Sequence, residues 1–180
     1  MKLKHVWMAG TLATALVFTA CNKNDDDDAS KDVNAQDETF IIKAAQSNQS
    51  EVELGTLALS KGSDSLVKAF AQAMVNEHAD AQAQLEDIVK DQNTNVGITD
   101  TLDAEQVATS MLLQGLSGAA FDSAYMDSQV KGHTKTLGIF DAEIASGQNA
   151  KVKGYANDKR PNIQKHQALA DSIYSVRFNQ

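Results

Sequence analysis

The sequence is poor in what interrupts helices and in what staples small secreted folds. Among 180 residues there is one proline, one cysteine and ten glycines, and aromatic side chains make up 6%. A lone cysteine excludes an intrachain disulfide, so a packed core must stabilise the fold. Scarce proline and glycine over long periodic stretches favour helices, and no β-rich runs are present that a mixed fold would need. Basic residues are also few, 16 against 24 acidic ones. No basic stripe with interleaved aromatics occurs, which excludes nucleic acid as a partner.

The cysteine stands at a telling place. "MKLKHVWMAGTLATALVFTAC", residues 1–21, has Lys2 and Lys4, an apolar run from Val6 to Phe18, then small residues up to Cys21. This is the pattern of a secretory signal, too short to remain as a spanning helix. Phe18-Thr19-Ala20-Cys21 resembles the lipobox of bacterial lipoproteins, with Phe18 departing from the usual leucine or valine. The resemblance implies cleavage before Cys21 and lipid attached to it, and so a membrane partner contacted through that lipid. A soluble exported protein with an incidental cysteine is the plainer alternative. Residues 22–36, "NKNDDDDASKDVNAQ", hold only Val33 as an anchor and are expected to form a flexible acidic tether. With Lys2 and Lys4 removed, 14 basic and 24 acidic residues remain, a formal charge of −10.

Residues 37–180 carry four long amphipathic patterns. Asp37 is expected to cap a first helix with Ile41, Ala45, Asn48, Val52 and Leu59 on one face and Gly62 at its end. Ser63 or Asp64 caps a second, with Leu66, Phe70, Met74, His78, Ala81, Leu85 and Ile88. A loop and a short helix around "LDAEQVATSMLLQGLSG" lead to a third, from Gly118 to Ser146, whose row is Met126, Val130, His133, Leu137 and Phe140. Ser117 is its expected cap. Asn149 caps the last, in which Pro161 should force a kink or a restart, with Ile163, His166, Ala170 and Ile173 beyond it. Two hairpins joined by one longer connection describe an all-α, ferritin-like four-helix bundle with a short extra helix and a Pro-broken last helix.

"AFAQAMVNEH", "FDSAYMDSQVKGH" and "RPNIQKH", in this order behind a lipoprotein signal, resemble the bacterial envelope family catalogued as domain of unknown function 4142. The likeness covers about Asp37 to Ser175. It implies a ferritin-like bundle in the envelope, at the outer membrane, and implies no activity; the acidic run behind Cys21 resembles the signal that sends some lipoproteins to the cell surface, with a solvated spacer as the alternative, so the periplasmic side and the cell surface both stay open.

Every histidine of the domain lies in a core row. With both hairpin turns placed at the same end of the bundle, His78 falls about 24 Å from that end, His133 about 21 Å and His166 about 26 Å, with Glu51 near 17 Å. Three imidazoles and a carboxylate at one level could hold a divalent transition metal. Alternatively, such histidines only fix packing by bonding neighbours such as Asn48 or Tyr125. Ferritin-type di-iron chemistry is disfavoured, because the residues three before the histidines are Val75, Val130 and Ile163, where Glu-x-x-His would be needed. Glu77, about 100° around the helix from His78, reads as a surface residue. Met74, Met111 and Met126 read as core fillers. No nucleophile or other catalytic constellation is present. The expectation is a non-enzymatic binding protein for a metal, a small ligand or an envelope partner. A metal-dependent enzyme built on the three histidines, or a purely structural or stress-related lipoprotein, are the alternatives.

Overall fold

The computed structural model describes residues 32–92, 94, 96–98 and 101–179. The signal segment, Cys21 and most of the acidic tether lie outside them. Five helices follow one another: α1 (Ala35–Lys61), α2 (Ser65–Asp91), α3 (Ala104–Gln114), α4 (Gly118–Ser146) and α5 (Ala150–Arg177). There is no strand among the described residues, and none of these helices is long and apolar enough to cross a membrane.

Helix ends follow local chemistry. α1 begins earlier than Asp37: Asn34 is its N-cap, and Asp37 stands at the third helical position, completing a capping box with Asn34. The end of the expected tether is therefore folded, with Val33 packed against the core. Asp64 caps α2, Asp103 caps α3 in a second capping box, and Asn149 caps α5. Ser117 occupies the cap position of α4 without a side-chain bond to its amides. Gly118 starts that helix at φ +59, a left-handed conformation that glycine adopts without a Cβ penalty.

The long helices form a ring in which α1 neighbours α2 and α4, and α5 neighbours α4 and α2. Their directions are fixed by contacts at the two ends. At one end Asp122, in the first turns of α4, accepts from the backbone N–H groups of Ser63 (3.0 Å) and Asp64 (2.9 Å) in the α1–α2 turn. At the other end Asp37, in the first turn of α1, accepts from Gln148 (3.0 Å) and Asn149 (3.1 Å) in the α4–α5 turn. Asn149 also donates to Gln92 at the end of α2. The order is thus up-down-down-up, with the crossover carrying α3 across α1 and α4. The two hairpin turns lie at opposite ends, not at the same end as expected from the sequence.

The hairpins repeat each other. Asp37, Gly62, Asp64, Val67 and Phe70 recur 85 positions later as Asp122, Gly147, Asn149, Val152 and Tyr155. Each hairpin thus offers the other an aspartate for its turn.

Core positions deviate from the expected rows in places. Val67 is fully buried while Leu66 is 46% exposed. In α1 the buried row runs through Phe40, Ala44, Ser47, Glu51, Leu54 and Ala58, leaving Val52 and Leu59 half-buried. Leu137 and Val130 of α4 are likewise half-buried. Met74 and Met126 fill the core, whereas Met111 is 68% exposed on α3. α5 runs through Pro161 without restarting. Pro161 faces solvent, so water can take up the Asn157 carbonyl that it leaves without a partner. Two apolar clusters fill the bundle, one around Phe70, Met74, Phe121 and Met126, the other around Phe40, Leu85, Phe140 and Ile163. A polar layer separates them.

Candidate metal centre

That layer is built on His78, His133 and His166, all buried. Their ring centroids are 5.8, 5.5 and 5.5 Å apart, a nearly equilateral triangle formed by α2, α4 and α5. One nitrogen of each ring lies within 4.8 Å of one nitrogen of each of the others. The common level survives the reversed turn because each histidine is near mid-helix, where height is the same counted from either end. The 85-residue repeat adds to this: His133 corresponds to Asn48, and His166 to Ala81.

Each ring is held by one outward hydrogen bond. His133 Nδ1 lies 2.9 Å from the Gln129 carbonyl oxygen, which can only accept, so this nitrogen carries the proton. His166 Nε2 lies 2.9 Å from Oε2 of Glu77. His78 Nδ1 lies 3.0 Å from Oδ1 of Asn48. The Asn48 amide is oriented by its NH2 group, which donates to Tyr155 Oη (3.3 Å) and Gln82 Oε1 (3.4 Å), while Tyr155 Oη donates to the Ala81 carbonyl (3.2 Å). Its oxygen therefore faces His78 and accepts. A neutral imidazole that donates from one nitrogen has a lone pair on the other. Those others, His78 Nε2, His133 Nε2 and His166 Nδ1, are buried and without a partner.

The electrostatics keep the rings neutral. Burial lowers the pKa of His133 to about 4, with its bond to the Gln129 carbonyl acting the other way. Burial, then the neighbouring imidazoles, push His78 well below its ordinary value. His166 is lowered by burial and by His133, with Glu77 pulling the other way. Three neutral imidazoles with bare lone pairs in one buried layer offer nitrogens that a cation can pair.

Glu51 is buried beside this group but outside the cluster of ligand atoms. Its Oε1 lies 3.9 Å from His133 Nδ1, the outward nitrogen, and its Oε2 is partnerless. Burial raises its pKa to about 7, opposed by a hydrogen bond from Gln129 and by His166. Gln129 Oε1 and Tyr125 Oη are also buried without partners. Glu77, read from the sequence as a surface residue, is half exposed and still reaches His166 across α2 and α5. Its spacing from His78 carries no sign of this, since the bond is made to another helix.

Two clefts approach the layer. One of about 280 Å³ lies between α1, α3 and α4 and has Glu51 and Gln129 in its wall. The other, of about 170 Å³ between α2 and α5, is lined by Asn48, Glu77, His78 and His166.

Residues 22–173 match the family described as domain of unknown function (DUF4142). The chain belongs to this family. No curated protein and no solved structure matches it. Membership accordingly brings no activity with it. The stretches "VNEH", "QVKGH" and "IQKH" each end on one histidine of the triangle.

Proposed function

We propose that this protein binds one divalent transition-metal ion through His78 Nε2, His133 Nε2 and His166 Nδ1, and does so in the cell envelope, anchored by lipid on Cys21. The observations that carry the reading are three buried imidazoles that bring one nitrogen each within 4.8 Å of the others, and on each ring one partnerless nitrogen whose opposite nitrogen is engaged. Outward bonds to an amide oxygen, a backbone carbonyl and a carboxylate are the supports that metal-ligating histidines use to fix tautomer and orientation. An all-nitrogen set suits zinc, copper, nickel or cobalt over magnesium or calcium, which prefer oxygen. Bonds of about 2.0–2.1 Å put tetrahedral ligand nitrogens about 3.4 Å apart, so the rings must close by roughly an ångström from the 4.8 Å limit. The anchor rests on the pattern that ends at Cys21, and lipid there agrees with a chain whose described helices cannot span a bilayer.

Elemental analysis of the purified chain tests this: zinc, copper, nickel or cobalt near one equivalent, lost in His133→Ala, is the expected result. Metal-free protein that also fails to take up added Zn2+ refutes it. A second reading, a metal-dependent hydrolytic enzyme, is favoured by one feature. Three protein ligands leave a coordination position for water, and Glu51, a carboxyl with a partnerless Oε2, is buried beside the outward side of His133.

A further inference from the structure

Of the two clefts, the one between α2 and α5 reaches the imidazoles themselves. His78 and His166 line it; they are 5% and 8% exposed, and each carries a partnerless nitrogen. None of the three histidines lines the α1/α3/α4 cleft, and Glu51 in its wall meets His133 at the protonated outward nitrogen. Within the ring of long helices, α2 and α5 are also the least closely joined neighbours. The bond between His166 Nε2 and Glu77 Oε2 crosses their seam at the level of the histidines, and Glu77 is half exposed. Two carboxylates, Glu77 and Asp80, belong to the lining. Lys159 also belongs to it, with its charge offset by Asp158 at 3.1 Å. The volume of about 170 Å³ admits an ion with several of its waters, at about 30 Å³ for each.

Resting on the metal reading above, we propose that the α2/α5 cleft is the port through which a hydrated divalent cation reaches and leaves the imidazoles, meeting His78 and His166 first and His133 last. Glu77 and Asp80 give the mouth a negative field that draws a cation in. Inside, the imidazoles of His78 and His166 replace its waters one by one, and the innermost ring, His133 at 1% exposed, completes the set. The His166 ring is held across the seam by a half-exposed carboxylate, so it can turn aside and back without unpacking the apolar clusters on either side of the layer. A port governs loading and unloading alike, so an obstruction in it slows both and leaves the equilibrium nearly unchanged.

The test uses Co2+ with the full chain, following uptake by the visible absorption of the bound ion in stopped flow, release to excess EDTA, and Kd by chelator competition. Asn162 is exposed and lines the cleft, so Asn162→Trp obstructs the port without entering the core. Uptake should slow by about tenfold or more. Release should slow in step, with Kd within about threefold of wild type. Gln84→Trp places the same obstruction from the facing helix and serves if Asn162→Trp does not fold. Thr109→Trp, in the α1/α3/α4 cleft, should load at the wild-type rate. Asp80→Asn should slow uptake at low salt with release unchanged, the mark of a steering charge at a rim; wild-type uptake there overturns the acidic mouth. Wild-type uptake in both Asn162→Trp and Gln84→Trp overturns the port, as does slowed uptake in Thr109→Trp. Faster release with weaker binding in the obstructed variants also overturns it, because an obstruction slows both directions. A wild-type chain that takes up no Co2+ brings down the metal reading itself, and the port with it.

Discussion

Glu77 Oε2 lies 2.9 Å from His166 Nε2, so a half-exposed carboxylate on α2 fixes which nitrogen of an α5 imidazole faces the bundle interior. Removing it frees the ring to flip or to change tautomer while leaving all three proposed ligands in place. Glu77→Ala should therefore weaken Zn2+ binding by about 10–100-fold, the usual effect of losing such a support. Glu77→Gln, which retains an accepting oxygen, should lose less. Chelator competition measures both, and an unchanged Kd in Glu77→Ala means that the bond does not position the ring.

The lowered histidine pKa values shift where protons compete with metal. An isolated imidazole would begin to lose metal as pH drops through about 6.5. In the fold His133 stays neutral down to about 4. Affinity for Zn2+ should accordingly hold through pH 6 and decline as pH approaches that value. Isothermal titration across pH 4–7 checks it; a midpoint at 6.5 means that the rings are solvated.

The same shifts set the stability of the metal-free protein, with opposite signs for the two kinds of group. A histidine with a depressed folded pKa binds its proton more weakly in the fold, so stability is complete above pH 6.5 and falls as pH drops towards about 4. Glu51, raised to about 7, binds its proton more strongly in the fold, so stability falls as pH rises from 4.5 to 7. Glu51→Gln abolishes the second effect only. Relative to wild type, the metal-free variant should gain on the order of 3 kcal/mol between pH 4 and pH 8. Urea melts at the two values measure this, and a pH-independent difference contradicts a buried Glu51.

Much of this was legible in the sequence, for identifiable reasons. The 3.6-residue periodicity placed His78, His133 and His166 in core rows, the cap at Asn149 fixed where the last helix begins, and Ser63 or Asp64 bracketed the start of the second, where the cap is Asp64. The levels came out right although the turns were put at one end, since mid-helix residues do not register that choice. The repeat that pairs Asp37 with Asp122 and Gly62 with Gly147 is visible in the sequence, and would have suggested that each turn is capped by the other hairpin. What periodicity cannot resolve is a shift of one position: Leu66 and Val67 differ by 100° on the helix, and only packing against the facing helices selects Val67. Ring tautomers and the bond from Glu77 depend on contacts between helices and leave no local trace.

Burial graded in this way makes a stability contrast. Leu85 is fully buried between the helices, whereas Leu137 is half-buried. Leu85→Ala should destabilise by about 2–5 kcal/mol and Leu137→Ala by less than about 2. Equal losses in denaturant melts would contradict the rotation assigned to α4.

The central claim is that three imidazoles share one ion. X-ray absorption of the Zn2+-loaded protein, with His78→Ala, His133→Ala and His166→Ala measured alongside, tests it most directly. The account predicts one equivalent of metal with three imidazole nitrogens at about 2.0–2.1 Å, and stoichiometric binding lost in each variant. A first shell made only of oxygen, or binding that persists in all three variants, would contradict it.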